Sequence, residues 1–209
     1  MNIPDDVRKA LFSEDPEITL RIKEFKDFLN NEDNTIDRAL NKFLLFGIPF
    51  LFRNDVDKFF ELKEDIAEYF GVCQTQIYMV GSAKFGFSIS PSKRYKYFAD
   101  DSDIDIAVID EKTFNDFWRR LYSYNINLKS RTEQEQKEYE SFLEYFFRGW
   151  IRPDKFPVKY KKDWFEYFKK LNKKYGYKVR VGLYKDSEFF TDYHKKNFED
   201  IRSELKYGK

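Results

Sequence analysis

The chain of 209 residues has little cysteine, little histidine and almost no net charge. Its single cysteine, Cys73, excludes an intramolecular disulfide and any metal site built from several cysteines. No serine or cysteine accompanies the only histidine, His194, in a triad-like pattern, so we expect His194 at the surface or at a helix end. Lys and Arg number 38 against 37 Asp and Glu, so any basic surface for nucleic acid must be local.

Long apolar runs are also absent. No run approaches the roughly 18 residues of a membrane-spanning helix, and residues 1–6 lack a basic region followed by an apolar one. The sequence therefore predicts a cytoplasmic protein without a membrane partner.

Aromatic residues, in contrast, are abundant and make up 20% of the chain. They would supply stacking surfaces for bases, or phenylalanine would fill a core that has few valines and alanines. The second explanation is simpler, and it predicts phenylalanine-rich packing between helices.

Apolar periodicity predicts helices along most of the chain and three short strands, which together indicate an α+β fold. We expect a helical extension over residues 1–53 and a core over residues 54–209, or one compact domain. The predicted strands are 76–80, 101–109 and 177–184; the predicted helices are 16–29, 35–46, 54–71, one from Lys112, one from Ser130 or Thr132 that includes Trp150, 163–174, and one from Ser187.

Two stretches carry the chemistry, and the second of them opens with closely spaced carboxylates. In an extended strand, Asp103 and Asp105 point to one face with Cβ atoms roughly 7 Å apart, while Ile104 and Ile106 point to the other. Two like charges repel each other, and a divalent cation removes that penalty. Mg²⁺ favours one or two carboxylates together with phosphate oxygens and water, with Mn²⁺ as an alternative ion.

The first stretch, residues 78–86, ends an apolar run with Gly81-Ser82. Without a Cβ at Gly81, backbone N–H groups can approach an anion closely, Ser82 adds a hydroxyl donor, and a helix that starts there adds its dipole. No Gly-Lys-Ser/Thr follows, so this is not a Walker loop, and no dinucleotide fingerprint is present. Phosphate on one side and metal on the other describe a nucleoside triphosphate site.

Together the two stretches resemble the nucleotidyltransferases of the DNA polymerase β superfamily. Their signature is an apolar residue, Gly-Ser, a spacer, and Asp-apolar-Asp-apolar on the next strand. The minimal bacterial members are most similar: there Gly-Ser-x-x-x-Gly leads to Asp-Ser-Asp-Ile-Asp, present here as Gly81, Ser82, Gly86 and residues 101–105. The resemblance covers about 30 of the 209 residues.

The resemblance implies a small mixed β-sheet of the polymerase β type. It also implies Mg²⁺ at the catalytic Asp103 and Asp105, and a nucleoside triphosphate bound by Gly81, Ser82 and Lys84. A nucleoside monophosphate would pass to a hydroxyl acceptor, which is a nucleic-acid end, a protein side chain or another nucleotide. Small relatives occur in bacterial toxin-antitoxin and anti-phage systems, which implies a role in defence and a protein partner encoded nearby.

The chain departs from this pattern in two places. Residues 92–100 are inserted between the two motifs, and the strand predicted at 177–184 lacks the third carboxylate that the family carries on a later strand. Asp186 lies just past that strand and would be the missing ligand only if the chain bends back. Arg180 occupies the polar face instead, where it would hold the triphosphate or mark weakened chemistry. The alternative function is therefore a catalytically weak module that binds nucleotide, nucleic acid or a partner protein.

The inserted segment is the best nucleic-acid candidate. Lys93, Arg94 and Lys96 alternate with aromatic residues, so that cations would meet phosphates while rings stack on bases. A solvated loop anchored by its aromatic residues explains the same pattern, and the sequence leaves both explanations open.

Overall fold

The computed structural model describes residues 15–127, 131–152 and 161–208 of the chain. The predicted α+β class is confirmed: within these residues, a four-stranded mixed sheet is flanked by eight α-helices. The strands are β1 (Ile77–Val80), β2 (Ile104–Ile109), β3 (Trp150–Ile151) and β4 (Val179–Tyr184). The helices are α1 (Pro16–Asn30), α2 (Ile36–Leu40), α3 (Val56–Phe70), α4 (Gly81–Phe85), α5 (Glu111–Asn127), α6 (Glu133–Phe146), α7 (Lys161–Tyr175) and α8 (Ser187–Tyr207).

The helices begin and end where the sequence places capping residues. The Asp15 carboxylate accepts hydrogen bonds from the backbone at the start of α1, Thr35 does the same for α2, and Asp55 for α3. Gly71 ends α3 in the left-handed conformation. None of the helices in the described ranges combines the length and the apolar character that a membrane span requires.

The helix predicted to include Trp150 ends earlier than expected. Helix α6 stops at Phe146, the backbone of Gly149 adopts a φ of 65°, and Trp150 then pairs with Tyr184 of β4. The aromatic run has the spacing of a helix face, but the left-handed glycine reverses the chain and makes Trp150 part of an edge strand.

The sheet has the strand order β1-β2-β4-β3. Strand β2 lies between an antiparallel neighbour, β1, and a parallel neighbour, β4, while β3 is antiparallel to β4. Ile104, Ile106 and Val108 of β2 face the core formed with α3, α5, α6 and α7. Ala107 faces the second core, formed with α1, α2 and α8, and by alternation Asp105 points to the same side as Ala107.

Helices α1 and α2 share this second core with α8. The ring of Phe25 in α1 lies edge-on to Phe198 of α8 at a centroid distance of 5.3 Å and to Phe87 at 5.5 Å. The Arg202 side chain of α8 donates hydrogen bonds to the carbonyl oxygens of Leu29 and Asn34. The described part of the predicted extension, residues 15–53, is therefore packed against the sheet through α8; residues 1–14 lie outside the described residues.

His194 is buried and lies in the interior of α8, so the expectation of a position at the surface or at a helix end is wrong. It shares one face of α8 with Phe190, Phe198 and Ile201, because residues four apart along a helix lie above one another. Neither ring nitrogen has a hydrogen-bond partner, and burial lowers the pKa of the imidazole to about 4.

Replacing His194 by leucine is expected to stabilise the protein most in mild acid. The folded-state pKa lies below the usual value of 6.5, so protons bind preferentially to the unfolded chain and stability falls as the pH drops from 6.5 towards 4. At pH 5 this loss amounts to about 2 kcal/mol, which the leucine variant avoids. Urea denaturation of both proteins at pH 7 and pH 5 measures it, and equal pH slopes would contradict the assignment.

Candidate active site

The Gly81-Ser82 turn and Asp105 lie against each other. Val80 pairs with Asp105 across β1 and β2, and the next residue, Gly81, turns the chain into α4 with a φ of 65°. A Cβ on Gly81 would stand only 2.7 Å from the Oδ2 atom of Asp105. Glycine is therefore required at this position for two reasons: the backbone conformation and the close approach of the carboxylate.

Asp103 and Arg180 form an ion pair beside this contact. The Nη2 atom of Arg180 lies 2.9 Å from Oδ2 of Asp103, and the two side chains are 49% and 28% exposed. Arg180 is also the register partner of Asp105 in the parallel pairing of β2 with β4. One guanidinium therefore lies beside both carboxylates, at the edge of the sheet where the parallel strands β2 and β4 begin.

The electrostatics of Asp105 reflect its burial and its charged neighbours. Burial raises the pKa of this carboxyl to about 6; Arg180 acts against the rise, and Asp103 adds to it. Arg152 and Lys93 also favour the charged carboxylate. Among the described residues, the site therefore combines two acids with three cations, of which the sequence had assigned only Arg180 and Lys93 to binding.

Strand β3, which the sequence analysis missed, packs on β4 and leads to Arg152. Trp150 lies over Gly182 of β4 so closely that a Cβ on Gly182 would overlap the indole nitrogen. The Trp150 ring also stacks on Tyr184, with the planes inclined by 6°. Arg152 follows two residues later, with its guanidinium carbon 5.4 Å from the ring centroid of Tyr145. The glycine inside a predicted strand was the available signal, since such a glycine often marks a close approach.

Lys84 lies away from the predicted nucleotide. It is buried, and its amine donates hydrogen bonds to the carbonyl oxygens of Phe46 (2.6 Å) and Gly47 (2.8 Å). This contact ties α4 to the segment that follows α2 and does not fit the predicted phosphate contact. Helix α4 has only five residues, so the predicted contribution of its dipole is small. Ser82, next to Gly81, remains partly exposed.

The inserted segment packs against the second core. Phe87 and Tyr97 form a bridge, and the Tyr97 hydroxyl is hydrogen-bonded to Thr19 of α1. Arg94 is nearly buried, with Nη1 2.6 Å from Oε2 of Glu204 in α8, so it holds the segment in place and does not fit a nucleic-acid contact. Lys96 lies 3.6 Å from Asp101. Of the three cations predicted to contact nucleic acid, Lys93 is the one whose charge lowers the pKa of Asp105.

Asp186 cannot complete a metal site with Asp103 and Asp105. It caps α8 by accepting hydrogen bonds from the backbone of Glu188 and Phe189, and it follows the far end of β4. The strand from Arg180 to Tyr184 spans roughly 13 Å, and Asp186 lies two residues beyond its end. Within residues 15–127, 131–152 and 161–208, no three His, Cys, Asp or Glu side chains are grouped to hold a metal ion.

The chemistry available at this end of the sheet follows from these residues. The carboxylates of Asp103 and Asp105 are the oxygen donors that Mg²⁺ uses when a polyphosphate supplies its remaining ligands, so a single such ion fits the pair. Arg180 offers a guanidinium suited to phosphate oxygens, and Gly81 and Ser82 offer donors on the opposite side.

No protein-family model, no curated protein and no solved structure matches this chain.

Proposed function

We propose that the protein is a Mg²⁺-dependent nucleotidyltransferase that moves a nucleoside monophosphate from a nucleoside triphosphate to a hydroxyl acceptor. The observation that supports this most directly is the contact of Asp105 with Gly81, because it brings an acidic strand and a donor-rich turn to one site. Asp103, the residue before β2, enters the same site through its ion pair with Arg180. This juxtaposition supports the proposal.

Each residue has a role that follows from its position. Asp103 and Asp105 would hold Mg²⁺, which would neutralise charge on the triphosphate. The Ser82 hydroxyl and backbone N–H groups of the turn hold the outer phosphates. The acceptor oxygen forms a bond to the α-phosphorus while the bond to the bridging oxygen breaks; pyrophosphate leaves with that electron pair, and the hydroxyl proton passes to water. The protein contributes position and charge rather than a covalent intermediate.

A second candidate function is a binding module without turnover. The ion pair between Arg180 and Asp103 favours it, because a guanidinium stands where the family carries its third acid. Such a module would bind a nucleotide, a nucleic acid or a partner protein. The bacterial defence setting, the cytoplasmic location and a partner encoded nearby belong to the proposal on the strength of the sequence resemblance.

Turnover separates the two candidates. The full chain is incubated with each α-³²P-labelled triphosphate and Mg²⁺, with RNA, with DNA and without an added acceptor, and products are resolved on a gel. We expect label on one class of acceptor, with equal release of pyrophosphate and no transfer in EDTA. Calorimetry with the same nucleotides runs in parallel. Binding without pyrophosphate release would support the module and overturn the transferase.

A further inference from the structure

Arg180 occupies a position that a purely structural ion pair does not require. It is half exposed on β4, directly beside Asp105 in register and 2.9 Å from Asp103. A surface pair of this kind contributes little to folding, because exposed ion pairs gain little energy in water. The position of Arg180 between the two acids therefore points to a role other than stabilising the fold.

The number of ligands limits how many divalent ions the site can hold. Two-metal sites keep their ions about 3.5–4 Å apart and share carboxylates between them. Among the described residues two carboxylates are present here, one of them is paired with a guanidinium, and Asp186 lies beyond the far end of β4. Within the part of the chain that the structure describes, a second divalent ion would lack a third acid, and Arg180 would repel it.

We propose that the site holds one divalent cation and that Arg180 supplies the second positive charge to the triphosphate. This rests on the proposed function. Before nucleotide binds, Arg180 balances Asp103; when the triphosphate and its cation bind, Asp103 turns to the cation and the guanidinium turns to phosphate oxygens. The planar guanidinium suits this exchange, since it pairs with carboxylate and with phosphate in the same two-pronged geometry.

The first test counts ions. Mn²⁺ is titrated into the full chain with α,β-methylene-ATP, whose α–β bridge cannot be cleaved by the transfer reaction, and bound Mn²⁺ is obtained from the loss of the free-ion EPR signal. A parallel titration of the nucleotide alone is subtracted to correct for Mn²⁺ held by unbound nucleotide. We expect one Mn²⁺ per chain. Two per chain in the wild type would overturn the proposal.

The second test uses Arg180→Ala, which should shift two affinities in opposite directions. With saturating Mg²⁺, ATP should bind at least tenfold more weakly, because a phosphate partner is lost. Without nucleotide, Mn²⁺ should bind at least tenfold more tightly, because Asp103 is released. Arg180→Lys should retain part of both wild-type affinities. If the ion pair were merely structural, its loss would not weaken ATP binding while it strengthens Mn²⁺ binding. Unchanged affinities would overturn the proposal.

Arg119→Ala is the matched control. This substitution removes the same charge, and Arg119 is exposed and lies near an aspartate, Asp116. Arg119 belongs to α5, however, whose buried face packs on the opposite side of the sheet. Arg119→Ala should change neither affinity.

If label transfer occurs but two Mn²⁺ bind, this inference fails while the proposed function stands. If one Mn²⁺ binds and the affinities cross without label transfer, the proposed function fails while the charge-exchange inference stands.

Discussion

Asp105→Asn should lower nucleotide transfer at least about 10³-fold while it makes the protein more stable. The amide has the shape of the carboxylate but neither its charge nor its affinity for a divalent cation. Transfer would be lost because the triphosphate and its cation lose their most buried oxygen ligand. Stability would rise because folding no longer has to bury this charge beside Gly81.

The size and the pH range of the stability gain follow from the raised pKa. Burial lifts the pKa of Asp105 from 3.8 to about 6, so at neutral pH the ionised carboxylate costs up to about 3 kcal/mol of folding free energy. Protons bind more tightly to the folded than to the unfolded chain, so the cost is complete above pH 6 and absent below the unfolded value. The gain from asparagine should shrink accordingly as the pH falls from 7 to 4.

Urea denaturation in EDTA measures the stability, and the labelled-nucleotide assay measures transfer. Asp101→Asn is the control, because Asp101 lies in the loop before β2 with its side chain 74% exposed. It should leave both quantities close to the wild-type values. Undiminished transfer by Asp105→Asn would overturn the proposed function. Loss of both transfer and stability would instead assign Asp105 a structural role.

The part of the site that the sequence predicted is the part determined by local geometry. Asp103 lies immediately before β2, two residues from Asp105, and Gly81 follows the strand that pairs with Asp105. No distant contact is needed to infer that arrangement. The α+β class was predictable for the same reason, since helix and strand periods are local properties of the sequence.

The parts that sequence reasoning missed depend on contacts between distant segments. Lys84 is near Gly81 in the chain, but carbonyl oxygens of residues 46 and 47 bind its amine. Arg94 belongs to a basic and aromatic segment, but Glu204, more than a hundred residues later, neutralises it. Trp150 has helical spacing from Phe146, but Gly149 breaks the helix. In each case the tertiary partner determines whether the side chain is available to a ligand.

Gly81→Ala tests the closest contact in the site, and Gly71→Ala provides a control with the same backbone strain. Both glycines have a φ of 65°, where alanine costs roughly 1 kcal/mol, so both variants should lose about that much stability. A Cβ at position 71 meets nothing within 4 Å, whereas one at position 81 would stand 2.7 Å from Oδ2 of Asp105. The alanine methyl must therefore displace the carboxylate at position 81 alone.

A catalytic carboxylate displaced by several tenths of an ångström to one ångström loses its alignment with the reacting phosphate, and such misplacement lowers rates by about 10²-fold. We therefore expect Gly81→Ala to transfer label about a hundred times more slowly than Gly71→Ala at equal stability. Thermal denaturation establishes that the two variants are matched, and initial rates with saturating triphosphate give the comparison. Equal rates would show that the position of Asp105 against the turn does not matter for the reaction. A deficit confined to Gly81→Ala would link that contact to catalysis, because strain and folding are the same in both proteins.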